Sequence, residues 1–267
     1  MKYLFFLIFT FTFAQQTKFV DFKTVLGKIQ INPTERAVSG DVFYNFEVLK
    51  SIDTIKIDAQ NMDFSDLTLN GKKVKFVNTK KQLQIIFPFK KGKNTLTFQY
   101  LAKPKQTMYF IGSEVNDNLQ IWTQGQGKYT SHWFPSFDDV NEKVVFNLNI
   151  AYHKDYQVIS NGILKSKSEL DELSVWHYQM QKPMSSYLLM LAIGKFEKNS
   201  QKAKSGISLE MYFEPKDKAK FEPTYRDSKT MFDFLEKEIG VKYPWQIYRQ
   251  APVRDFLYAG MENTSAT

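Results

Sequence analysis

From about Val25 to Gly194, apolar and polar residues alternate in short runs, with the period of two expected of half-buried strands. Val42, Tyr44, Phe46 and Val48 alternate with Phe43, Asn45 and Glu47. Leu67 and Leu69, the pair Asn70-Gly71, then Val74 and Phe76 predict a hairpin, because Asn-Gly accepts the positive φ angles of a tight turn. Leu96, Phe98 and Tyr100 alternate again after the "KKGKN" turn. Further strands are predicted from "VFNLNIAY" (145–152), "YQVISNGIL" (156–164), "SVWHYQM" (174–180) and "SYLLMLAIGKFE" (186–197). Turn residues recur at the short spacing of a sandwich or an open stack of sheets.

The pattern changes at "EKNSQKAKSG", 197–206, a polar stretch that predicts a domain boundary. Beyond it come a strand from Ile207 to Phe213 and one helix. Pro223 suits a first helical turn, where its missing N–H would lack a partner anyway. Ser228, Met231, Phe232, Leu235 and Ile239 then share one helical face, and Gly240 suits the end. "WQIYRQAPV" and "FLYAG" read as two closing strands. The expected organisation is a mainly β first domain over 15–199, then α/β elements over 200–267.

Composition supports this. At 267 residues and 43% hydrophobic the chain can bury a core, and its 24 Phe and 14 Tyr favour strands. The net charge is +8, but the lysines stand as pairs in predicted turns (Lys72-Lys73, Lys80-Lys81, Lys90-Lys91). A nucleic-acid protein concentrates its basic residues on one face or arm, so no nucleic-acid partner is expected.

Residues 1–14 have the layout of a signal peptide. Lys2 is the positive end, Tyr3 to Phe13 form an apolar run of 11 residues, and Thr12 and Ala14 suit a cleavage site before Gln15. The run is shorter than the ~20 residues that span a bilayer. An exported, periplasmic or secreted protein with no stable membrane anchor is expected. There are no cysteines, which excludes disulfides, a thiolate nucleophile and a lipidated cysteine at the cleavage site.

Local catalytic motifs are absent. His132, His153 and His177 have no partner at helical spacing, and there is no HExxH or G-x-S-x-G. Gly125-Gln126-Gly127 lacks the third glycine and the helix of a phosphate loop. Asp138-Asp139 is read as a strand pair pointing to opposite faces, hence not an acid–base couple. The aromatic run His132-Trp133-Phe134 is read as core packing.

Three stretches together resemble the aminopeptidase N family of zinc aminopeptidases. In "WTQGQGKYTSHWFPSFDDVNEKVVFNLNI" (122–150), Thr123, Gln124, Gln126, Phe134, Pro135, Phe137 and Asp138 fall on the family's T-Q-x-E/Q-x-x-x-A-R-x-x-F-P-C-F-D-E-P run without a gap. "VISNGIL" followed by "MSSYLLMLAIGKFE" is similar to the family's Ser-Asn-Gly strand and the end of its first domain. Ala259-Gly260-Met261-Glu262-Asn263 is similar to G-A-M-E-N. The chain departs from the pattern at Ser131, Ser136, Asp139 and Val140, and in the order of Ala259 and Gly260.

The resemblance implies a saddle-like antiparallel β-sheet domain, followed by the first α/β elements of a thermolysin-like catalytic domain. It implies peptide substrates bound by their free N-terminus. Glu262 would meet the α-ammonium by charge-assisted hydrogen bonds, and Gln126 would offer a second acceptor. Backbone at Gly260 and Met261, followed by Asn263, would form an edge for an extended peptide. The family's zinc ligands lie further along, so the chain is expected to be the front portion of such an enzyme. Zn2+ would then be held beyond residue 267, and these residues would be inactive on their own. The competing expectation is a non-catalytic periplasmic β-rich binding or scaffold module.

Overall fold

The strand Val20–Asn32 organises the largest sheet in the computed structural model, which describes residues 15–116 and 118–267. The predicted signal peptide lies outside the described residues. On one side Val20–Asn32 pairs antiparallel with Ala37–Val48, and on the other it pairs parallel with Lys143–His153, as in Thr24 with Val145. The sheet continues outward through Leu173–Gln179 and Ile163–Leu170 on one flank. On the other it runs through Gly92–Ala102 to the hairpin of Asp63–Leu69 and Lys72–Lys73. The fold is mainly β, with several largely antiparallel sheets.

The alternation read from the sequence explains the packing. Phe22, Tyr44, Phe46 and Phe98 are buried and meet Ile55, Ile57, Leu83 and Ile85 of a three-stranded sheet, Ile52–Asp58, Gln82–Phe89 and Phe76–Asn78. Phe22 stacks on Phe46 at 5.1 Å and meets Phe137 at 4.4 Å. A bulge falls between Phe22 and Thr24, and the Phe22 N–H donates to buried Glu142 Oε1 at 3.0 Å. A carboxylate there closes a ladder that the neighbouring strand has not yet reached. Trp133 and Phe134 of the expected core run are fully buried, whereas His132 is only partly buried. Asp138 and Asp139 lie in an irregular stretch, not a strand, and both face a shallow cleft with Asp58.

A third sheet of four short strands, Gln157–Ser160, Leu191–Gly194, Gln120–Thr123 and Met108–Ile111, is covered on both faces. Val158, Leu191, Ile193, Ile121 and Met108 point into the main core. Their alternates Ile159, Ala192, Trp122, Tyr109 and Ile111 face a second core completed by Tyr212, Phe256 and Ala266. The later part of the chain is therefore packed directly on the β region.

Several expected elements are corrected. The run 156–164 is two strands in different sheets, broken at Asn161-Gly162. Gly162 has φ 78°, and a Cβ there would sit 2.3 Å from the Gln179 carbonyl oxygen. The run 186–197 begins with a 3-10 turn, Ser186–Leu188, and only Leu191–Gly194 is a strand before Glu197. The polar stretch 197–206 begins with a strand: Glu197–Lys202 pairs with Ser208–Phe213, which pairs parallel with Ile247–Gln250.

Two helices replace the one expected. Helix α1 spans Lys218–Tyr225 with Pro223 inside it, and helix α2 spans Ser228–Ile239, closed by Gly240 in the left-handed conformation. On α2, Phe232 packs inward, while Met231, Leu235 and Ile239 of the predicted apolar face are exposed. "FLYAG" is not a strand.

Candidate functional site

The outer face of the four-stranded sheet carries the candidate site. Trp122 stacks on Tyr109 at 4.3 Å and meets Phe256 at 5.1 Å, so an aromatic wall joins the β region to the later segment. The Trp122 Nε1–H donates to the Arg254 carbonyl (3.0 Å), and the Arg254 N–H donates to Gln120 Oε1 (2.9 Å). These bonds fix the backbone before residues 255–263 as they cross the sheet.

The segment is anchored at its far end by the Ser160-Asn161-Gly162 corner. Asn161 Nδ2 donates to the carbonyls of Leu188 (2.9 Å) and Thr264 (2.7 Å), and its Oδ1 accepts from Met190 N–H (2.7 Å). The Gly162 N–H donates to Ser265 Oγ at 2.7 Å. Arg249, 1% exposed, donates to Glu210 Oε2 (2.8 Å) and to the carbonyls of Ser160 (3.1 Å) and Gly162 (2.5 Å). Burial pushes the Glu210 carboxyl up, but Arg249 and Lys198 more than offset this and hold it below its ordinary range.

Between these anchors lies a cavity of about 630 Å³ whose wall includes Trp122, Met190, Tyr258, Gly260, Met261 and Asn263. A smaller one of about 320 Å³, lined by Thr107, Gln124, Gln126 and Tyr129, adjoins it at Tyr258.

The structure thus brings four of the five expected site residues to two adjoining cavities. Gln126 is exposed beside the smaller one, its N–H donating to Gln124 Oε1 at 2.7 Å. Gly260 is exposed, and the space around it is open, so nothing in this structure demands a missing side chain there. Met261 and Asn263 are buried, and Asn263 Oδ1 has no hydrogen-bond donor among the described residues. Glu262 is the exception. It is exposed, lines neither cavity, and makes no hydrogen bond or ion pair among the described residues. Residues 259–263 are also not a strand, so the expected peptide-pairing edge at Gly260 and Met261 is not formed as such.

Sequence reasoning placed Gln124 on the family run without giving it a role, and missed Thr107 and Arg249. Thr107 adopts φ 72°, a strained angle for a β-branched residue, and its buried Oγ1 lacks a partner, as does Gln124 Nε2. Nothing in a single sequence announces that strain. Arg249 did leave a signal: it occupies an alternate position of a predicted strand, where a lone charge must find a buried partner.

No group of three or more histidine, aspartate or glutamate side chains among the described residues could hold a metal ion. No described helix is long and apolar enough to cross a membrane.

Compared with known proteins, residues 27–188 match the Peptidase M1 N-terminal domain. The chain is similar to glutamyl aminopeptidase of Bos taurus, 30% identical over 131 residues, 49% of this chain and 14% of that protein. It is similar to a probable aminopeptidase 1 of Sulfurisphaera tokodaii, 24% identical over 229 residues, 84% of this chain and 29% of that protein. It is also similar to Tricorn protease-interacting factor F2 of Thermoplasma acidophilum, 26% identical over 213 residues, 79% of this chain and 27% of that protein. In each case the match spans less than a third of the relative's length.

Proposed function

The chain belongs to the Peptidase M1 N-terminal domain family, and from that premise we propose that it is the amine-recognising front portion of an exported, zinc-dependent aminopeptidase. The observation that carries the reading is the buried acceptor Asn263 Oδ1, which lacks a donor at the wall of the larger cavity. A buried acceptor left unpaired costs about 1–3 kcal/mol, and a peptide α-ammonium would supply the missing donor. Gln126, reached past Tyr258, adds a second amide oxygen at the adjoining cavity. Trp122 and Met190 offer apolar surface for the first side chain.

In this reading Glu262 turns from solvent toward the cavity when a cation arrives. The open space at Gly260 leaves the backbone room for that movement. The described residues do not fit a zinc site, and no step is derived through the metal. The part played by this chain is to hold and orient the amino terminus. The same 267 residues are proposed to lack hydrolytic activity alone.

Calorimetric titration with a tripeptide and its N-acetylated counterpart tests the proposal. The free amine is expected to bind at least tenfold more tightly, with the preference lost in Asn263→Ala and in Glu262→Gln. Equal binding of the two peptides would refute it. The second reading, a non-catalytic β-rich binding or scaffold module, draws on the position of Glu262 outside both cavities, and that equal-binding result would favour it.

A further inference from the structure

Residues 72–93 contain eight lysines and no acidic residue, as many positive charges as the whole chain's net +8. In sequence they look dispersed over separate turns. The sheet register gathers most of them. Asn70, at the turn before Lys72-Lys73, donates through Nδ2 to Asn94 Oδ1 and through its N–H to the Thr95 carbonyl. That places the Lys72-Lys73 turn beside the Lys90-Lys91-Gly92-Lys93 turn. Val48 pairs with Gly92, which brings Leu49 and Lys50 to the same end. The Ile86 N–H donates to the Lys75 carbonyl at 3.2 Å, so Lys75 borders Ile86 and Phe87.

Lys50, Lys72, Lys73, Lys75, Lys90, Lys91 and Lys93 are all exposed, and none forms an ion pair with a described residue. The acidic groups at this end are Glu47, opposite Lys93 in the register, Asp21, across from Glu47 on the next strand and ion-paired with Lys23, and Asp53, next to Ile52. Among the lysines Ile86 is 47% exposed and Phe87 40%, and Leu49 is exposed as well. On the face of Phe76–Asn78 that carries Lys75, Val77 is exposed too.

We infer that this end of the β region docks reversibly on an anionic phospholipid bilayer, lysines against the headgroups and Phe87 and Ile86 in the interface. Charge complementarity requires an anionic partner, and apolar side chains standing among the charges favour a bilayer over a wholly polar polyanion. All seven cations are lysines. Mobile point charges suit a diffuse charged plane, whereas sites that grip individual phosphates favour the bidentate fork of arginine. None of the seven lines the cavities described above, so the surface is separate from the candidate peptide site.

Vesicle co-sedimentation of the full chain tests this, comparing phosphatidylcholine vesicles with vesicles containing added phosphatidylglycerol. Binding is expected only to the anionic vesicles, and it should fall steeply between about 0.1 M and about 1 M salt as the Debye length shrinks to about 3 Å. Each lysine near the surface contributes about fivefold, so Lys72→Glu, Lys73→Glu, Lys90→Glu and Lys91→Glu together should weaken binding at least about 100-fold. The same number of reversals at Lys165, Lys182, Lys202 and Lys218, elsewhere on the surface, should weaken it far less. Phe87→Ser with Ile86→Ser should remove the residual binding at high salt. Far-ultraviolet circular dichroism confirms that each variant is folded.

Equal binding to both vesicle types, or equal loss in the two lysine sets, would overturn the inference. Binding to duplex DNA or heparin as tight as to anionic vesicles and indifferent to Phe87→Ser would overturn it in favour of a polyanion site.

Discussion

Glu142→Gln isolates a pH-dependent contribution to stability that the structure allows to be worked out. Glu142 is 4% exposed, its Oε1 accepts the Phe22 N–H, and its Oε2 is buried without a partner among the described residues. Burial pushes its carboxyl from 4.5 up to about 7, with Asp21 and Asp139 acting in the same direction and the Phe22 N–H and Lys23 against it.

A folded-state value above the unfolded one means that the folded protein holds the proton more tightly. The resulting stability is fully present below pH 4.5 and is lost as pH rises through about 7. At about 1.4 kcal/mol per pH unit, that interval corresponds to about 3 kcal/mol. With a urea slope of about 3 kcal/mol per M, the wild-type midpoint should fall by about 1 M relative to the variant between about pH 5 and about pH 8. Glutamine keeps a carbonyl for Phe22 and does not titrate, so its absolute stability matters less than the difference in pH slope. Asp138, raised to about 6 mainly by burial and then by Asp58, titrates in both proteins and cancels. Parallel urea midpoints for wild type and Glu142→Gln across this range would refute the reasoning.

Arg249→Ala is expected to cost about 3–5 kcal/mol in urea denaturation, because it leaves Glu210 and two buried carbonyls short of a donor. Limited proteolysis of that variant should cut within 247–267 while the wild-type segment resists, and equal resistance would show that the anchor lies elsewhere. Gly162→Ala should lose about 2 kcal/mol or more, from the left-handed angle and the approach to the Gln179 carbonyl, read as a lower thermal midpoint. Purified chain incubated with zinc and an aminoacyl nitroanilide should release no product, and chelator-sensitive turnover would overturn the proposed division of labour.

Much of the fold was legible in the residues, and the misreadings have physical causes. Alternation found the central strands because their two faces meet different surroundings. Asn70 and Gly71, both at positive φ, and Gly240 announced their turns through backbone conformation alone. The corner at Asn161-Gly162 was hidden because Val158-Ile159 before it and Ile163-Leu164 after it are both apolar, so the pattern ran through the break without a pause. Helix α2 has the right period, yet its pattern does not say which residues are covered. The site was legible only as a motif. That Gln126 and Asn263 would stand at neighbouring cavities follows from packing across the Trp122 sheet, which no local window contains.

The parallel pairing of Val20–Asn32 with Lys143–His153 has a consequence for biosynthesis. One edge of the central strand finds its neighbour almost at once across a tight turn. The other edge waits for about 120 further residues, which at roughly 5–20 residues per second is an interval of about 6 to 24 s. Throughout it a row of open amides and carbonyls is offered to any passing chain. This nascent polypeptide therefore passes through a window of vulnerability to aggregation that its finished form conceals, and holdase chaperones should engage it before Lys143 emerges rather than after.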